Sequence, residues 1–175
     1  ELNQLDKALV AINAAIRLEP NNPNLYNEKY VVLSNLKRYK EAEAAINKAI
    51  ELSPRAVFYL GRGLVRYELG DKQGAIEDLN LAIKINPNYA QAYYNRGIVR
   101  YELGDKQGAI DDYNQVIKID PNDANSYYNR GNAYATLGDK FQAISDFKQA
   151  AKLYQQQGNN ETYQDALNRI RKLQP

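Results

Sequence analysis

The stretch Tyr93–Pro121, YYNRGIVRYELGDKQGAIDDYNQVIKIDP, recurs almost verbatim before and after itself. Gly63, Gly97 and Gly131 stand 34 residues apart, and a Leu-Gly-Asp triplet recurs with the same period. A period of this length is typical of stacked-repeat proteins, in which each unit packs mainly against its neighbours. The sequence therefore predicts a solenoid built from similar units.

Prolines mark where the units end. Pro20, Pro54, Pro87 and Pro121 each follow an apolar run with helical spacing. Proline cannot continue a helix and disfavours the helical conformation at the residue before it, so each proline is expected to close one helix.

Each unit is expected to hold two helices joined by a tight turn. In the central unit the first helix runs from about Ala90 to Leu103 and the second from about Lys106 to Ile119, with Leu103-Gly104-Asp105 between them. Glycine can take the left-handed conformation that closes a helix, and aspartate can cap the next helix. The first full unit has Leu36-Lys37-Arg38 at this place, so we expect a less well capped turn there.

Small residues in both helices predict a close crossing. Gly97 in the first helix and Ala109 in the second leave room for two antiparallel helices to approach each other. Bulky neighbours such as Ile110 and Tyr113, at helical spacing, are expected to fill the space around the crossing.

These markers together resemble the tetratricopeptide repeat (TPR), a helix–turn–helix unit of 34 residues, in its bacterial type. In the central unit the markers are Tyr93, Gly97, Leu103-Gly104, Ala109, Tyr113, Val116 and Pro121. The resemblance implies an all-α fold, a right-handed α-solenoid of antiparallel helix pairs. It also implies that the first helix of each pair lines a concave groove where ligands bind.

The resemblance covers nearly the whole chain and predicts a single array over residues 1–175. Its predicted parts are a partial repeat at 1–20, full repeats at about 23–54, 56–87, 90–121 and 124–155, and a C-terminal capping helix at about 161–173. The chain lacks an initiator methionine and begins inside a repeat, so we expect an excerpt of a longer or processed protein. A targeting signal would lie upstream of it, and we favour a cytoplasmic location.

The register of the repeats predicts which side chains face the groove. They form an aromatic and aliphatic strip with polar flanks: Leu60, Leu64, Tyr67, Tyr94, Asn95, Ile98, Tyr101, Tyr128, Asn129 and Asn132. The alternative is that the tyrosines simply pack against adjacent helices. As a set they favour an interaction site, because a contiguous apolar strip with polar edges is typical of one.

Arginines recur where the family usually has aliphatic or aromatic residues. They are Arg62, Arg66, Arg96, Arg100 and Arg130. One interpretation is that their stems pack along the helix interface while the guanidinium groups stack on neighbouring tyrosines. The other is a ladder that binds anions or carboxylates.

Composition argues against catalysis and against several classes of partner. The chain has no histidine and no cysteine, which removes the usual general base, thiol nucleophile and thiolate metal site. We interpret the adjacent carboxylates Glu77-Asp78 and Asp111-Asp112 as solvated surface, because neighbours on a helix point in different directions. A net charge of +2 with interspersed signs predicts no nucleic-acid surface, and no apolar run suits a membrane span. We expect no enzyme activity, no cofactor, no metal, no nucleic-acid partner and no membrane insertion.

The function that the sequence favours is a non-catalytic protein–protein interaction scaffold. It would hold a peptide or helix of a partner protein in the concave groove. The first-helix positions that face the groove hold no lysine or arginine, which favours a neutral or apolar peptide. Two alternatives stay open: a self-assembling homo-oligomer that stacks through the array ends, and a regulatory or docking module of a larger enzyme.

Overall fold

The computed structural model describes residues 2–174, and within that range it contains ten α-helices and no strand. The helices are α1 (Leu2–Leu18), α2 (Pro23–Asn35), α3 (Tyr39–Leu52), α4 (Ala56–Glu68), α5 (Lys72–Ile85), α6 (Ala90–Glu102), α7 (Lys106–Ile119), α8 (Ala124–Thr136), α9 (Lys140–Gln156) and α10 (Asn160–Leu173). The all-α fold is confirmed. The two helices of the central unit end within one residue of their predicted bounds.

The helices pack as hairpins, α2 with α3, α4 with α5, α6 with α7 and α8 with α9. The tight turns between partners make each pair antiparallel. The described residues divide into two compact units between Pro87 and Asn88, which is the loop between two predicted repeats. The prediction of a single array remains a prediction.

Each unit has its own apolar core. In the first unit, Leu33 of α2 packs with Ala42 of α3 and Val65 of α4. In the second unit, Phe147 of α9 packs with Ile170 of α10. The last helix therefore covers the apolar face of the last pair, as the predicted capping helix should.

Glycine in the first helix sets how closely the two helices of a pair approach. A Cβ atom added at Gly97 would lie 2.8 Å from Cε1 of Tyr113, and one added at Gly131 would lie 3.0 Å from Cε1 of Phe147. The aromatic ring of the second helix lies directly on the glycine of the first. Ala109 is fully buried in the same crossing, which confirms the predicted close approach.

The turns between paired helices are built as the Leu-Gly-Asp triplet predicts. Gly104 has a φ of 93°, and Oδ1 of Asp105 accepts a hydrogen bond from the backbone N–H of Gly108 at 2.9 Å. In the first full unit Lys37 takes the same left-handed conformation, with a φ of 57°, and the side chain of Arg38 makes no capping hydrogen bond to the backbone of α3. The expectation of a less well capped turn is confirmed at the start of α3.

The final helix is capped by Asn159, whose Oδ1 accepts a hydrogen bond from the backbone N–H of Thr162. Leu103 is half-exposed because it follows the last residue of α6 and leads into the turn.

None of the helices between residues 2 and 174 has both the length and the apolar character that a bilayer crossing requires.

Replacing Lys37 with glycine is expected to stabilise the chain by about 1 kcal/mol, because glycine adopts the left-handed conformation without the clash of a Cβ atom. Thermal unfolding followed by far-ultraviolet circular dichroism will measure the shift. Lys40→Gly, inside the first turn of α3, is the matched control and should lower the melting temperature. A loss of stability in both variants would contradict the assignment of strain to Lys37.

Candidate functional site

In the first unit the predicted groove residues lie along α4. Leu60 is only 4% exposed, so it is a core residue, and its prediction as a groove residue is corrected. Leu64 and Tyr67 are half-buried. Leu64 lines a cleft of about 230 Å³ together with Tyr30 of α2 and Glu68.

In the second unit the predicted groove residues lie on α6 and α8. All seven are half-buried, so each exposes part of its side chain: Tyr94, Asn95, Ile98, Tyr101, Tyr128, Asn129 and Asn132. Consecutive first helices thus present an aromatic and amide surface within one compact unit.

Hydrogen bonds between α6 and α8 hold this surface. The side-chain amide of Asn129 donates to the Tyr94 hydroxyl at 3.1 Å. The hydroxyl groups of Tyr101 and Thr136 lie 2.9 Å apart. Tyr94 and Tyr101 of α6 are therefore each linked to α8 through their hydroxyl ends, while parts of their rings remain accessible.

Tyr94 and Tyr128 each pack part of their ring against an adjacent helix, as the alternative interpretation predicted. The Tyr94 ring lies 6.1 Å from that of Tyr113, and the Tyr128 ring lies 5.4 Å from that of Phe147. Both rings are also partly exposed. The same side chains can therefore contribute to the core and to a binding surface.

The capping helix contributes two side chains that the repeat pattern did not predict. The Tyr128 hydroxyl donates to Oδ2 of Asp165 in α10. The guanidinium group of Arg169, one turn further on, lies over the Tyr128 ring at 5.8 Å. In the sequence, the spacing of four residues between Asp165 and Arg169 indicates that they share one helix face. It does not reveal what that face packs against.

This surface includes a cleft of about 330 Å³. It is lined by Ile98, Tyr101, Glu102, Tyr113, Asn129, Asn132 and Arg169. Apolar rings and an isoleucine are thus combined with two amides, one carboxylate and one guanidinium group. Such a mixture of apolar lining and few polar groups suits a protein or peptide ligand.

The phenols of the surface are held in their neutral form. Burial raises the pKa of Tyr94. Burial, and then the hydrogen bond to Asp165, raises the pKa of Tyr128. These hydroxyl groups therefore remain proton donors at neutral pH.

The recurring arginines are paired with carboxylates of the chain itself. In the first unit, Nε and Nη2 of Arg62 donate to the carboxylate oxygens of Asp78 at 2.8 and 2.6 Å, and Nη1 of Arg66 lies 2.9 Å from the same group. In the second unit, Asp112 accepts from Nη2 of Arg96 at 2.5 Å and from Nη1 of Arg100 at 3.0 Å.

The fourth repeat has a simpler version of this ion pair. Nε and Nη2 of Arg130 donate to the Asp146 carboxylate at 2.7 and 2.6 Å. Tyr134 stands where the second arginine would be. The anion that these guanidinium groups bind in the structure is therefore a buried aspartate of the same repeat.

The stacking interpretation is confirmed for Arg62, Arg96 and Arg130. Arg62 lies over Tyr59 at 5.6 Å and Arg96 lies over Tyr93 at 5.4 Å. Each guanidinium group is thus held between a ring of its own helix and a carboxylate of the partner helix.

Some of these arginines also reach the preceding repeat. In the first unit Nη1 of Arg62 donates to Oδ1 of Asn47 in α3 at 2.9 Å. In the second unit Nη1 of Arg130 donates to Oδ1 of Asn114 in α7 at 2.5 Å. The same side chain therefore links the two helices of its own pair and the pair before it.

The interpretation of the adjacent carboxylates as solvated surface is wrong for one member of each pair. Asp112 is 1% exposed, whereas its neighbour Asp111 is exposed. Asp78 is likewise buried and Glu77 exposed. The two neighbours do point in different directions. The aspartate points into the helix pair, where its ion pairs with arginine offset the cost of removing it from water.

No cluster of ligating side chains in residues 2–174 could hold a metal ion.

Profiles of known families match most of the repeats. A profile described as TPR repeat matches residues 63–104 and 99–138, and two tetratricopeptide repeat profiles match residues 124–157 and 31–55. TPR repeat-containing protein MJ1428 of Methanocaldococcus jannaschii is 36% identical over 86 residues. Tetratricopeptide repeat protein 13 of Homo sapiens is 32% identical over 88 residues. These alignments cover 49% and 50% of this chain, but only 15% and 10% of the length of the two relatives.

Solved structures with the same fold include TPR solenoids. The crystal structure of MamA superposes with a TM-score of 0.84 at 27% identity, over 89% of this chain and 92% of MamA. The first TPR of Spaghetti (RPAP3), solved with an HSP90 peptide, superposes with a TM-score of 0.65 at 26% identity. That match covers 66% of this chain and 93% of the other. The predicted fold class, an α-solenoid of TPR helix pairs, is confirmed.

Replacing Asp112 with alanine is expected to lower the free energy of unfolding by about 3–5 kcal/mol, because two arginines would lose their buried partner. Asp111→Ala, at the next position but exposed, should change it by less than about 0.5 kcal/mol. Urea unfolding followed by circular dichroism will measure both values. Equal stability of the two variants would contradict a structural role for the buried aspartate.

Proposed function

The chain belongs to the tetratricopeptide repeat family, and from that premise we propose that it is a non-catalytic scaffold that binds a segment of another protein. The binding surface is formed by the first helices of the repeats. In the second unit these are α6 and α8, with Tyr94, Ile98 and Tyr101 facing Tyr128, Asn129 and Asn132.

One observation carries the proposal, the half-buried strip on α6 and α8. Its rings are held by hydrogen bonds at their hydroxyl ends, so little side-chain entropy remains to be lost when a ligand binds. Tyrosine offers a large contact area with two rotatable side-chain bonds, and asparagine can pair with a peptide main chain.

A similar structure supports a peptide as the partner. The first TPR of Spaghetti (RPAP3) has 26% identity to this chain and was solved bound to the HSP90 peptide SRMEEVD. The recurring arginines do not enter the proposal, because their guanidinium groups are already paired with aspartates.

Replacing Tyr94 and Tyr101 together with alanine is expected to reduce retention of the partner at least about tenfold, since truncated aromatic anchors are typical binding hot spots. Retention of proteins from a cell lysate on the immobilised chain will measure it, with the bound proteins identified by mass spectrometry. Phe141→Ala is the matched control, because that ring is 80% exposed and lies in α9, outside the strip.

Circular dichroism spectra and melting curves must first establish that the double variant is folded. Equal retention by the wild type and a folded double variant would contradict the proposed surface.

A second candidate, self-assembly, is favoured by the exposed apolar residues of α1. Val10 is 71% exposed and Leu18 is 84% exposed. Ile12 and Ala15 are only half-buried, whereas the corresponding residues of α3, Ile46 and Ala49, are fully buried. A second copy of the chain that packs on α1 would cover these apolar groups.

If self-assembly is the function, the molar mass of the chain will rise with concentration, and Val10→Glu with Leu18→Glu will return it to the monomer value. Size-exclusion chromatography with light scattering measures this directly. Phe141→Glu serves as the control for charge added at another exposed apolar residue. A wild type that is monomeric at all concentrations would rule out the second candidate.

A further inference from the structure

Arg169 differs from the arginines of the first helices in how it is paired. Its nearest carboxylate oxygen, Oδ2 of Asp165, lies 3.7 Å from Nε, and its side chain is 48% exposed. Asp165 already accepts a hydrogen bond from the Tyr128 hydroxyl. Apart from this ion pair and its contacts with Tyr128, the guanidinium group of Arg169 has no other partner among residues 2–174, so its remaining N–H groups can donate to a ligand in the cleft that Arg169 lines.

Tyr113 adds a hydroxyl group without a hydrogen-bond partner to the lining of the same cleft. Tyr113 is 2% exposed, and its ring rests on Gly97. Its hydroxyl makes no hydrogen bond within the described part of the chain and is not fully enclosed by protein. Because Tyr113 lines the cleft, this hydroxyl can donate a hydrogen bond to a ligand there.

Two amides on α8 complete the polar lining. Asn129 uses its N–H to bind Tyr94, which leaves its carbonyl oxygen as an acceptor. The side chain of Asn132 makes no hydrogen bond to another residue between 2 and 174. Amide side chains both donate and accept, which matches the groups of an extended main chain.

The charged residues that line the cleft indicate where a charged group of the ligand would bind. Arg169 is its only basic lining residue and Glu102 its only acidic one among the described residues. The cleft as a whole therefore does not attract a highly acidic ligand. A single carboxylate at Arg169, with an apolar group beside it against Ile98 and Tyr101, satisfies both the charge and the apolar lining.

We propose that the cleft of the second unit binds a partner segment in which an acidic side chain lies next to an apolar one, with the carboxylate on Arg169. The inference rests on the proposed function and specifies the chemistry of its ligand. In this proposal the carboxylate belongs to a side chain inside the segment, so that main-chain groups on both sides of it can pair with Asn129 and Asn132. The expectation of a neutral or apolar peptide changes accordingly, since the positive charge comes from the capping helix and not from the first helices.

The test uses mixtures of nine-residue peptides that are acetylated at the N-terminus, and each mixture is prepared once with an amidated and once with a free C-terminus. Each mixture has leucine at position six and glutamate, glutamine or lysine at position five, with the other positions randomised. The immobilised wild type is compared with Arg169→Gln and with Arg171→Gln. Arg171 is the matched control because it lies on the same helix, exposed, with Nη1 bonded to Asn168 at 3.2 Å.

The wild type is expected to retain the glutamate mixture about tenfold more than the glutamine mixture, which is the usual effect of one charged hydrogen-bonded pair. Arg169→Gln should remove this preference, whereas Arg171→Gln should keep it. The preference should also fall as salt is raised, because the site is partly exposed. Circular dichroism of the variants checks that their helices are intact.

Three results would overturn the inference. Equal retention of the glutamate and glutamine mixtures would show that the cleft does not recognise a carboxylate. A preference that appears only for peptides with a free C-terminal carboxylate would assign the site to a chain end. Retention of no mixture would remove the peptide site, while the lysate comparison of the wild type with the tyrosine double variant decides the proposed function separately.

Discussion

An aspartate buried in the second helix of each of the last three helix pairs is held by arginine from the first, and this ion pair fixes how the first helix is rotated. Arg96 must face Asp112 in the partner helix. Tyr94 and Ile98, two residues to either side, then point roughly 160° away on the helix. The direction of the tyrosine strip therefore depends on a contact made on the other side of the same helix.

The sequence predicted the helices and their turns well because each depends on neighbouring residues. Gly104 and Asp105 shape the turn through their own backbone conformation and a hydrogen bond to a nearby residue. Lys37, which replaces glycine at the corresponding position, also affects only its own turn. The burial of Asp112 could not be predicted in this way. Asp111 and Asp112 are adjacent residues of the same type on one helix, so the local sequence does not show which of them is buried. Only the helix that packs against it distinguishes the two.

The sequence predicted only part of the candidate surface, because some of its residues depend on packing between distant parts of the chain. Repeat register predicted exposed positions for Tyr94, Tyr101 and Tyr128, and each of these side chains is half-buried. It failed at Leu60, whose burial depends on local packing, and it could not reveal Arg169. That arginine belongs to a helix outside the repeats, so no register applies to it. The capping helix thus covers the last core with Ile170 and also borders the cleft.

Each buried aspartate and the arginines that pair with it lie within one repeat, and this affects how the number of repeats can evolve. Residues 65–76 and 99–110 are identical, and both segments carry an arginine of the pair. Duplication or deletion of a whole repeat by unequal recombination would add or remove an aspartate together with its arginines. No buried charge would be left without its counter-ion, so the length of the array can change in whole repeats while its interior stays electrically balanced.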